Sequence, residues 1–195
     1  MFTSEALLEP STFSELLLCA YGPKWLREYP QVLASQWSKY YFMCLWATTL
    51  NMPVGASVAW ASARIHIGPR GLPEAFEWRD EGLDVPVKDL FDAVVERHLA
   101  PWIKRFSPLT KVSAGLLWSN AGDALEQAFQ QASPNSLGWA AVTRPLLANG
   151  NCNPLHDTVR YRPDGTRQVR VCCLAYRVPG IGHCAHCPLE KRAGV

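Results

Sequence analysis

The sequence predicts a single α+β domain that is mostly helical, with a small antiparallel hairpin leading into a C-terminal cysteine-rich loop. Apolar residues recur every three to four positions along several long stretches, a pattern typical of helices packed on a core. A strand–turn–strand pattern surrounds Pro163-Asp164-Gly165. The chain has 195 residues, of which 48% are hydrophobic and 18% charged, and this suffices for one domain with a sizeable core.

Five stretches carry the helical pattern. They are residues 12–20, after a cap at Ser11 or Thr12, and residues 31–50, 86–99, 111–132 and 137–147. Gly22-Pro23 is expected to end the first helix, because glycine and proline both disfavour a helix interior. Pro101 is expected to end or kink the helix that begins near residue 86.

Strands are expected at residues 58–67 and in a hairpin that pairs residues 158–162 with 167–171. Residues 68–84 are rich in glycine, proline and charge, and they predict a loop or a weak hairpin. The second strand of the C-terminal hairpin would present Cys172 and Cys173 at its end.

Residues 40–63 contain no charged side chain and are long enough to span a bilayer. Asn51-Met52-Pro53 interrupts this stretch, so two buried elements joined by a turn are expected rather than a transmembrane segment. The chain begins without the cationic start of a secretory signal, and its seven cysteines crowd toward one end, unlike a secreted disulfide framework. A cytoplasmic location is therefore expected, and peripheral association with a membrane stays open.

The net charge is only +2, which argues against a nucleic-acid partner. The charge is unevenly distributed, since residues 160–195 contain seven lysines and arginines against two acidic residues. This part carries +5 and the rest of the chain about −3. Its basic residues Arg167, Arg170 and Arg177 form either a solvated tail or an electropositive rim around the cysteines.

Four of the seven cysteines fall within sixteen residues, as the adjacent pair Cys172-Cys173 and the C-x-x-C formed by Cys184 and Cys187. Such dense thiols bind a metal or cluster, form disulfides, or exchange them. Both sulfurs of the adjacent pair reach one site only if the backbone kinks there. Structural zinc sites usually have two C-x2–4-C steps, of which this chain has one.

The pattern Cys-Cys-x10-Cys-x2-Cys, with Arg170 before it and Cys187-Pro188-Leu189 closing it, resembles the FhuF-like ferric-siderophore reductases. Residues 117–121 and 35–40 also look like family sequence, with less diagnostic power. The resemblance implies a [2Fe–2S] cluster held by Cys172, Cys173, Cys184 and Cys187. It implies an iron–sulfur oxidoreductase that passes one electron to siderophore-bound Fe(III), with a hydroxamate siderophore favoured, and that releases Fe(II) in the cytoplasm.

On this interpretation, residues 1–150 form a mainly helical part that binds the siderophore or a partner, and residues 151–195 form the hairpin and cluster segment of one compact domain. Candidate substrate or partner contacts are Arg167, Arg170, Arg177, Trp118 and Asn120. For Asn120 the alternative is an asparagine that bridges backbone groups between helices. No G-x-G-x-x-G or Walker loop occurs, so an external donor such as a ferredoxin or reductase is expected.

Two other classes of protein fit the same cysteines. One is a zinc-stabilised binding domain, in which Cys152 and His156 are further candidate ligands, and the other is a thiol–disulfide redox sensor. Cys152 is expected to lie outside an iron–sulfur site, as are Cys19 and Cys44, which fit small buried positions on their helices. His98 is expected to be a packed helix-face residue rather than a ligand. His183 and His186 flank the ligands and could couple protonation to electron uptake.

Overall fold

The structure is a computed structural model that describes residues 1–51, 63–78, 89–131 and 142–189. Its helices are α1 (Ser4–Leu7), α2 (Pro10–Glu28), α3 (Pro30–Leu50), α4 (Leu90–Val94), α5 (Ala100–Thr110) and α6 (Ala114–Gln131). Its strands are β1 (Phe2–Thr3), β2 (Ala63–Ile67), β3 (Pro73–Trp78), β4 (Val159–Tyr161) and β5 (Arg167–Val169). The mostly helical α+β class is therefore confirmed.

The strands form two small antiparallel sheets. In the first, β2 lies between β1 and β3, with Ile65 opposite both Phe2 and Phe76. In the second, β4 pairs with β5, and Gly165 takes a left-handed φ of 78° at the turn that joins them. The predicted C-terminal hairpin is confirmed. Within residues 68–84, where a loop or weak hairpin was expected, residues 73–78 form strand β3, which pairs with the preceding strand β2.

Helix α2 departs from the sequence prediction at its start and at its middle. It begins at Pro10, with Glu9 rather than Ser11 or Thr12 at the N-cap, because the fixed φ of proline suits a first helical position. Gly22 has φ 80° and ψ 165°, so it kinks the helix where the sequence predicted its end. The chain then resumes a helical course as far as Glu28.

Pro101 lies in the first turn of α5 and does not end the helix. One wider π-helical turn, Val95–Leu99, joins α4 to α5 just before it. Proline removes a donor and crowds the preceding turn, and a π turn is a common way to absorb such a local mismatch. Residues 90–110 therefore continue as one helical path through the core.

The core centres on α3, which packs against α2, α6 and β3. Tyr41 on α3 stacks on Trp102 with ring centroids 4.3 Å apart, and Trp102 stacks on Phe106 at 4.2 Å. The indole of Trp46 donates a hydrogen bond to the Ala121 carbonyl at 2.8 Å, which fixes α3 to α6. Because this aromatic core fixes the position of α3, it also fixes the face of α3 that carries the candidate site.

His98 lies fully buried within these rings, as expected for a packing residue. Its Nε2 is 2.6 Å from the hydroxyl of Tyr41. Burial lowers the pKa of His98 to about 3, because a charged imidazole would lose its hydration there. The histidine is therefore neutral at physiological pH.

Several sequence predictions fall outside the described residues: the strand over residues 58–62, the helix start at residues 86–88, the first part of the helix at 137–147, and a frayed end at 191–195. The end of the helix predicted at 137–147 was wrong, because residues 144–147 are not helical and Leu146 forms a β-bridge with Cys152. Among the residues that the structure does describe, no helix is long and apolar enough to cross a membrane. The division into residues 1–150 and 151–195 stays a prediction.

Candidate metal centre

The four clustered cysteines meet two by two. The Sγ atoms of Cys172 and Cys187 are 4.0 Å apart, and those of Cys173 and Cys184 are 3.8 Å apart. Cys173 and Cys187 are buried, while Cys172 and Cys184 are half-buried. All four are free thiols. The chain therefore folds back between Cys173 and Cys184, so that each pair joins one cysteine of the adjacent pair to one of the C-x-x-C.

A backbone kink directly after the adjacent pair directs both of its sulfurs into the site. Leu174 has φ 67°, a left-handed conformation that is uncommon for a residue other than glycine. Its N–H donates a hydrogen bond to the Sγ of Cys172 at 3.4 Å. The kink that the sequence required for Cys172-Cys173 is therefore present.

The return loop relies on two left-handed glycines, Gly180 with φ 83° and Gly182 with φ 69°. A turn then closes the C-x-x-C, because the N–H of Cys187 donates to the Cys184 carbonyl at 3.0 Å. The carbonyl of His186 accepts a hydrogen bond from the N–H of Val169 at 3.0 Å, which docks this turn on β5.

Helix α3 holds the other end of the segment through Cys173. The carbonyl of Cys173 accepts hydrogen bonds from Ser35 Oγ at 2.9 Å and from Gln36 Nε2 at 2.8 Å. One helical turn further, Lys39 lines the same cavity as Cys173, and its positive charge helps to lower the pKa of that cysteine. The amide of Asn120, on α6, donates to the Ser35 carbonyl at 3.1 Å and so supports this face.

Arg167 joins β5, α6 and the cysteine loop in one buried network. Its guanidinium donates to the Glu126 carboxylate and, at 3.0 Å, to the Asp123 carbonyl, and it forms an ion pair with the Asp123 carboxylate at 2.6 Å. It also lies 2.8 Å from Nδ1 of His186. Because arginine only donates, this nitrogen of His186 accepts, and a neutral imidazole would carry its proton on Nε2.

The two thiols of one pair differ in acidity. The hydrogen bond with Cys184 and then the positive charge of Lys39 hold the pKa of Cys173 well below its usual range. The hydrogen bond with Cys173, followed by burial, raises the pKa of Cys184. Burial raises the pKa of Cys172. A thiolate is thus favoured at Cys173, and thiolates are the form that binds metal.

A cavity of about 230 Å³ opens beside Cys173 and Cys184. Polar side chains that line it include Lys39, Asp123 and Gln127. One pair of sulfurs therefore faces a polar recess rather than packed protein.

The sulfur spacing fits metal ligation. Two thiolates bound at about 2.3 Å to one tetrahedral metal lie about 3.8 Å apart, close to both observed separations. Among the described residues, no three metal-binding side chains gather as a single-ion site. Two pairs suit a unit of two metals with two thiolates each, and four soft thiolates favour an iron–sulfur cluster. Fold and site together define an iron–sulfur protein on a helical scaffold.

The chain belongs to the FhuF family. The family model described as "Ferric iron reductase FhuF-like transporter" matches residues 35–169, and the model described as "FhuF 2Fe-2S C-terminal domain" matches residues 170–189. The predicted family and its [2Fe–2S] cofactor are therefore confirmed. A ferric siderophore reductase of Escherichia coli (strain K12) is 30% identical over 106 residues, which are 51% of this chain and 40% of that protein. The chain thus spans less than half the length of this curated relative.

The other candidate residues lie in different settings. Arg167 is buried in its ionic network, so it does not belong to the exposed basic rim in which the sequence placed it. Arg170 and Arg177 are exposed, and Trp118 is half-buried. Asn120 is buried and bridges α6 to α3, which matches the alternative given for it.

The three remaining cysteines lie outside the two sulfur pairs. Cys19 is exposed and donates to the Pro69 carbonyl at 3.4 Å, so the prediction that it is buried was wrong. Cys44 is half-buried, and Cys152 is exposed in a loop that forms a β-bridge with Leu146.

Sequence reasoning identified residues 35–40 only as similar to family sequence and assigned no role at the site to Ser35, Gln36 and Lys39. A signal was available, because Ser35 and Lys39 are four positions apart and therefore lie on one face of α3. Glu126 was also missed, since a carboxylate on a predicted amphipathic helix is usually a solvated one.

Proposed function

We propose that this chain is a ferric-siderophore reductase, an oxidoreductase that passes one electron to siderophore-bound Fe(III) and releases Fe(II). The two thiol pairs carry this proposal, together with the family to which the chain belongs. A [2Fe–2S] cluster bound there supplies one-electron chemistry. The proposed ligands are Cys172, Cys173, Cys184 and Cys187.

The chemistry of the chelate explains why one electron suffices. The hard oxygen donors of a siderophore hold Fe(III) far more tightly than Fe(II), so reduction alone loosens the iron. Each tenfold preference for Fe(III) lowers the potential of the bound iron by about 59 mV. Hydroxamates carry less negative charge per chelating arm than catecholates, so their iron is the easier to reduce for a site near about −400 mV.

The siderophore meets the surface beside Cys173 and Cys184. The cavity there, about 230 Å³, is smaller than the roughly 300–1,000 Å³ of pockets that enclose drug-sized ligands. Exposed Arg170 and Arg177 attract an anionic chelate or an acidic electron donor. The amide of Asn120 is engaged with α3, so we assign this residue to anchoring rather than to substrate contact.

An external donor, such as a reduced ferredoxin or a reductase, supplies the electron in the cytoplasm. Residues 1–150 provide the surface for substrate and partner, and residues 151–195 hold the cluster. The hydrogen bonds from α3 to Cys173 and from the hairpin to α6 support one compact unit in which both parts meet.

The test uses the cluster-loaded chain, reduced with dithionite and freed of excess reductant. It is mixed anaerobically with ferric complexes of a hydroxamate, a catecholate and citrate, with an Fe(II) indicator present. We expect one Fe(II) per cluster, the fastest rate with the hydroxamate, and a siderophore of unchanged mass. Replacing Arg170 and Arg177 by Gln should slow the reaction more at low salt than at high salt, because salt screens steering.

Cys152→Ser serves as the matched control and should react like the unmodified chain. A cluster that stays reduced with all three ferric complexes, yet is oxidised readily by other acceptors, would make the protein a general electron carrier. A colourless protein without iron and sulfide would favour the zinc domain or the thiol sensor instead.

A further inference from the structure

The imidazole of His183 contacts one sulfur of the site directly. Its Nδ1 lies 3.1 Å from the Sγ of Cys187, which is one of the two buried cysteines. A cysteine that binds iron is a thiolate and has no proton to donate, so in the cluster-loaded chain the hydrogen of this contact belongs to Nδ1. His183 is therefore placed as an N–H donor to a ligand sulfur.

Stacking on Tyr176 holds the imidazole in this orientation. The two rings are nearly parallel, with an interplanar angle of 4° and centroids 5.1 Å apart. Tyr176 belongs to the 3-10 turn Ala175–Arg177, which follows closely after the adjacent cysteines. One face of the His183 ring thus lies on the start of the loop, while its edge contacts the C-x-x-C at the end of the loop. These two contacts select one rotamer for a side chain that is otherwise exposed.

The backbone before and after His183 brings the ring to the sulfur. Gly182 has φ 69°, a left-handed conformation that favours glycine, and it turns the chain directly before the histidine. After the histidine, the turn between the Cys184 carbonyl and the Cys187 N–H returns the chain toward the ring. The loop between the two cysteine pairs therefore carries a hydrogen-bond donor as well as reversing the chain.

We propose that His183 is a positioning residue for electron uptake: it donates an N–H···S hydrogen bond to Cys187 and thereby raises the reduction potential of the cluster. The inference rests on the ligand set of the proposed function but not on siderophore reduction. Hydrogen bonds to the ligand sulfurs are one of the means by which a protein sets the potential of an iron–sulfur cluster.

Reduction adds one negative charge to the site. An external one-electron donor, dithionite in the test, is oxidised, and one Fe(III) of the cluster becomes Fe(II) with no bond formed or broken. The ligand sulfurs share the added charge, so a donor at Cys187 stabilises the reduced state more than the oxidised one. Removing the donor therefore makes the cluster harder to reduce.

The first experiment is a potentiometric titration of the cluster absorbance. His183→Leu removes the donor and should lower the equilibrium constant for reduction about tenfold, a shift of about 59 mV to negative potential. His183→Asn keeps a side-chain N–H at a similar distance from the backbone, so its potential should lie closer to that of the unmodified chain. Tyr176→Leu should shift the potential in the same direction by less, because the ring loses its stacking partner.

His66→Leu is the matched control. It makes the same substitution on β2, where the imidazole pairs with Glu77 at 2.9 Å rather than with a cysteine. Its cluster potential should equal that of the unmodified chain.

The second experiment detects the hydrogen bond itself. The chain is labelled with ¹⁵N in its histidine rings, reduced, and measured by pulsed EPR. A ring nitrogen that is hydrogen-bonded to a ligand sulfur receives unpaired spin density, so a hyperfine coupling to ¹⁵N is expected. The coupling should be lost in His183→Leu and kept in His66→Leu, a result that a merely structural role of the ring would not give.

Absence of the ¹⁵N coupling from the unmodified chain overturns the inference, and so does a His183→Leu potential equal to that of His66→Leu. A His183→Asn potential no closer to the unmodified value than that of His183→Leu also overturns it, because the donor would then be irrelevant. If His183→Leu loses the cluster, the coupling in the unmodified chain decides the question. A chain that reduces no ferric chelate can still show the coupling and the shift, so the two proposals fail separately.

Discussion

The aromatic core and the cysteine segment, residues 170–189, are held together by different forces. The core consists of buried side chains whose aromatic rings stack on one another, as those of Tyr41, Trp102 and Phe106 do. The cysteine segment contains one short 3-10 turn, Ala175–Arg177, and is fixed by hydrogen bonds to α3 and β5. Burial therefore stabilises the scaffold without metal, whereas the segment depends on a few polar anchors and on the cluster.

Helix α3 belongs to both regions. Its Trp37 and Tyr41 are buried among the rings, and its Ser35, Gln36 and Lys39 face Cys173. Because packing fixes the helix, the anchors are already in place before any metal binds. This difference indicates that substitutions in the cysteine segment should damage the site without unfolding the scaffold.

The largest effect is expected for replacement of single cysteines by serine. At Cys172, Cys173, Cys184 or Cys187 the cluster absorbance should be lost, because a thiolate ligand is removed. Helical circular dichroism should persist, since the core needs no metal. The matched controls Cys19→Ser, Cys44→Ser and Cys152→Ser should keep the visible spectrum. An unchanged spectrum in Cys173→Ser would contradict the ligand set.

The second-largest effect is expected for Arg167→Met, because this substitution removes the cation that pairs with Glu126 and Asp123. Breaking a buried ion pair in this way costs about 3–5 kcal/mol in the free energy of unfolding. Arg170→Met, three residues on and exposed, should change it by less than about 0.5 kcal/mol. Urea denaturation of both variants measures the difference. Equal losses would mean that Arg167 is no more structural than its exposed neighbour.

The smallest expected effect is on the pH dependence of the free energy of unfolding, and it comes from His98 in the core. Native His98 stays neutral down to about pH 3, whereas in the unfolded chain it titrates near pH 6.5. Between these values the unfolded state binds the extra proton, so stability falls by about 1.4 kcal/mol per pH unit as the pH drops. No contribution is expected above pH 7.

The measurement is urea denaturation at pH 7, 6 and 5 for the unmodified chain and for His98→Asn, which removes this titration. The slope between pH 6 and pH 5 should be shallower in His98→Asn. Parallel curves for the two proteins would rule out a contribution from His98.

The sequence was sufficient for features that depend on local spacing. Apolar periodicity predicted α3 to within one residue at its start, and the Pro-Asp-Gly turn predicted the hairpin. The adjacent cysteines predicted a backbone kink if both sulfurs were to reach one site, and Leu174 provides it. All of these follow from neighbours within about twenty residues along the chain.

What the sequence did not predict depends on which elements pack together. The burial of Arg167 follows from the docking of β5 on α6, and the role of Lys39 follows from the docking of the loop on α3. Gly122 weakened the predicted α6, yet a Cβ there would lie 1.9 Å from Thr158 Oγ1. The glycine is needed because the start of the hairpin passes so closely over the helix, a tertiary contact that periodicity does not report.

One peptide group, between Cys173 and Leu174, links helix α3 to the opposite pair of sulfurs. Its carbonyl accepts the two hydrogen bonds from Ser35 and Gln36, and its N–H donates to Cys172. Two donors on a carbonyl polarise the amide and strengthen its own N–H as a donor. A rotation or shift of α3 would therefore be transmitted to Cys172 as a change in the electron density of its sulfur, with no side chain of α3 touching that residue's ligand atom.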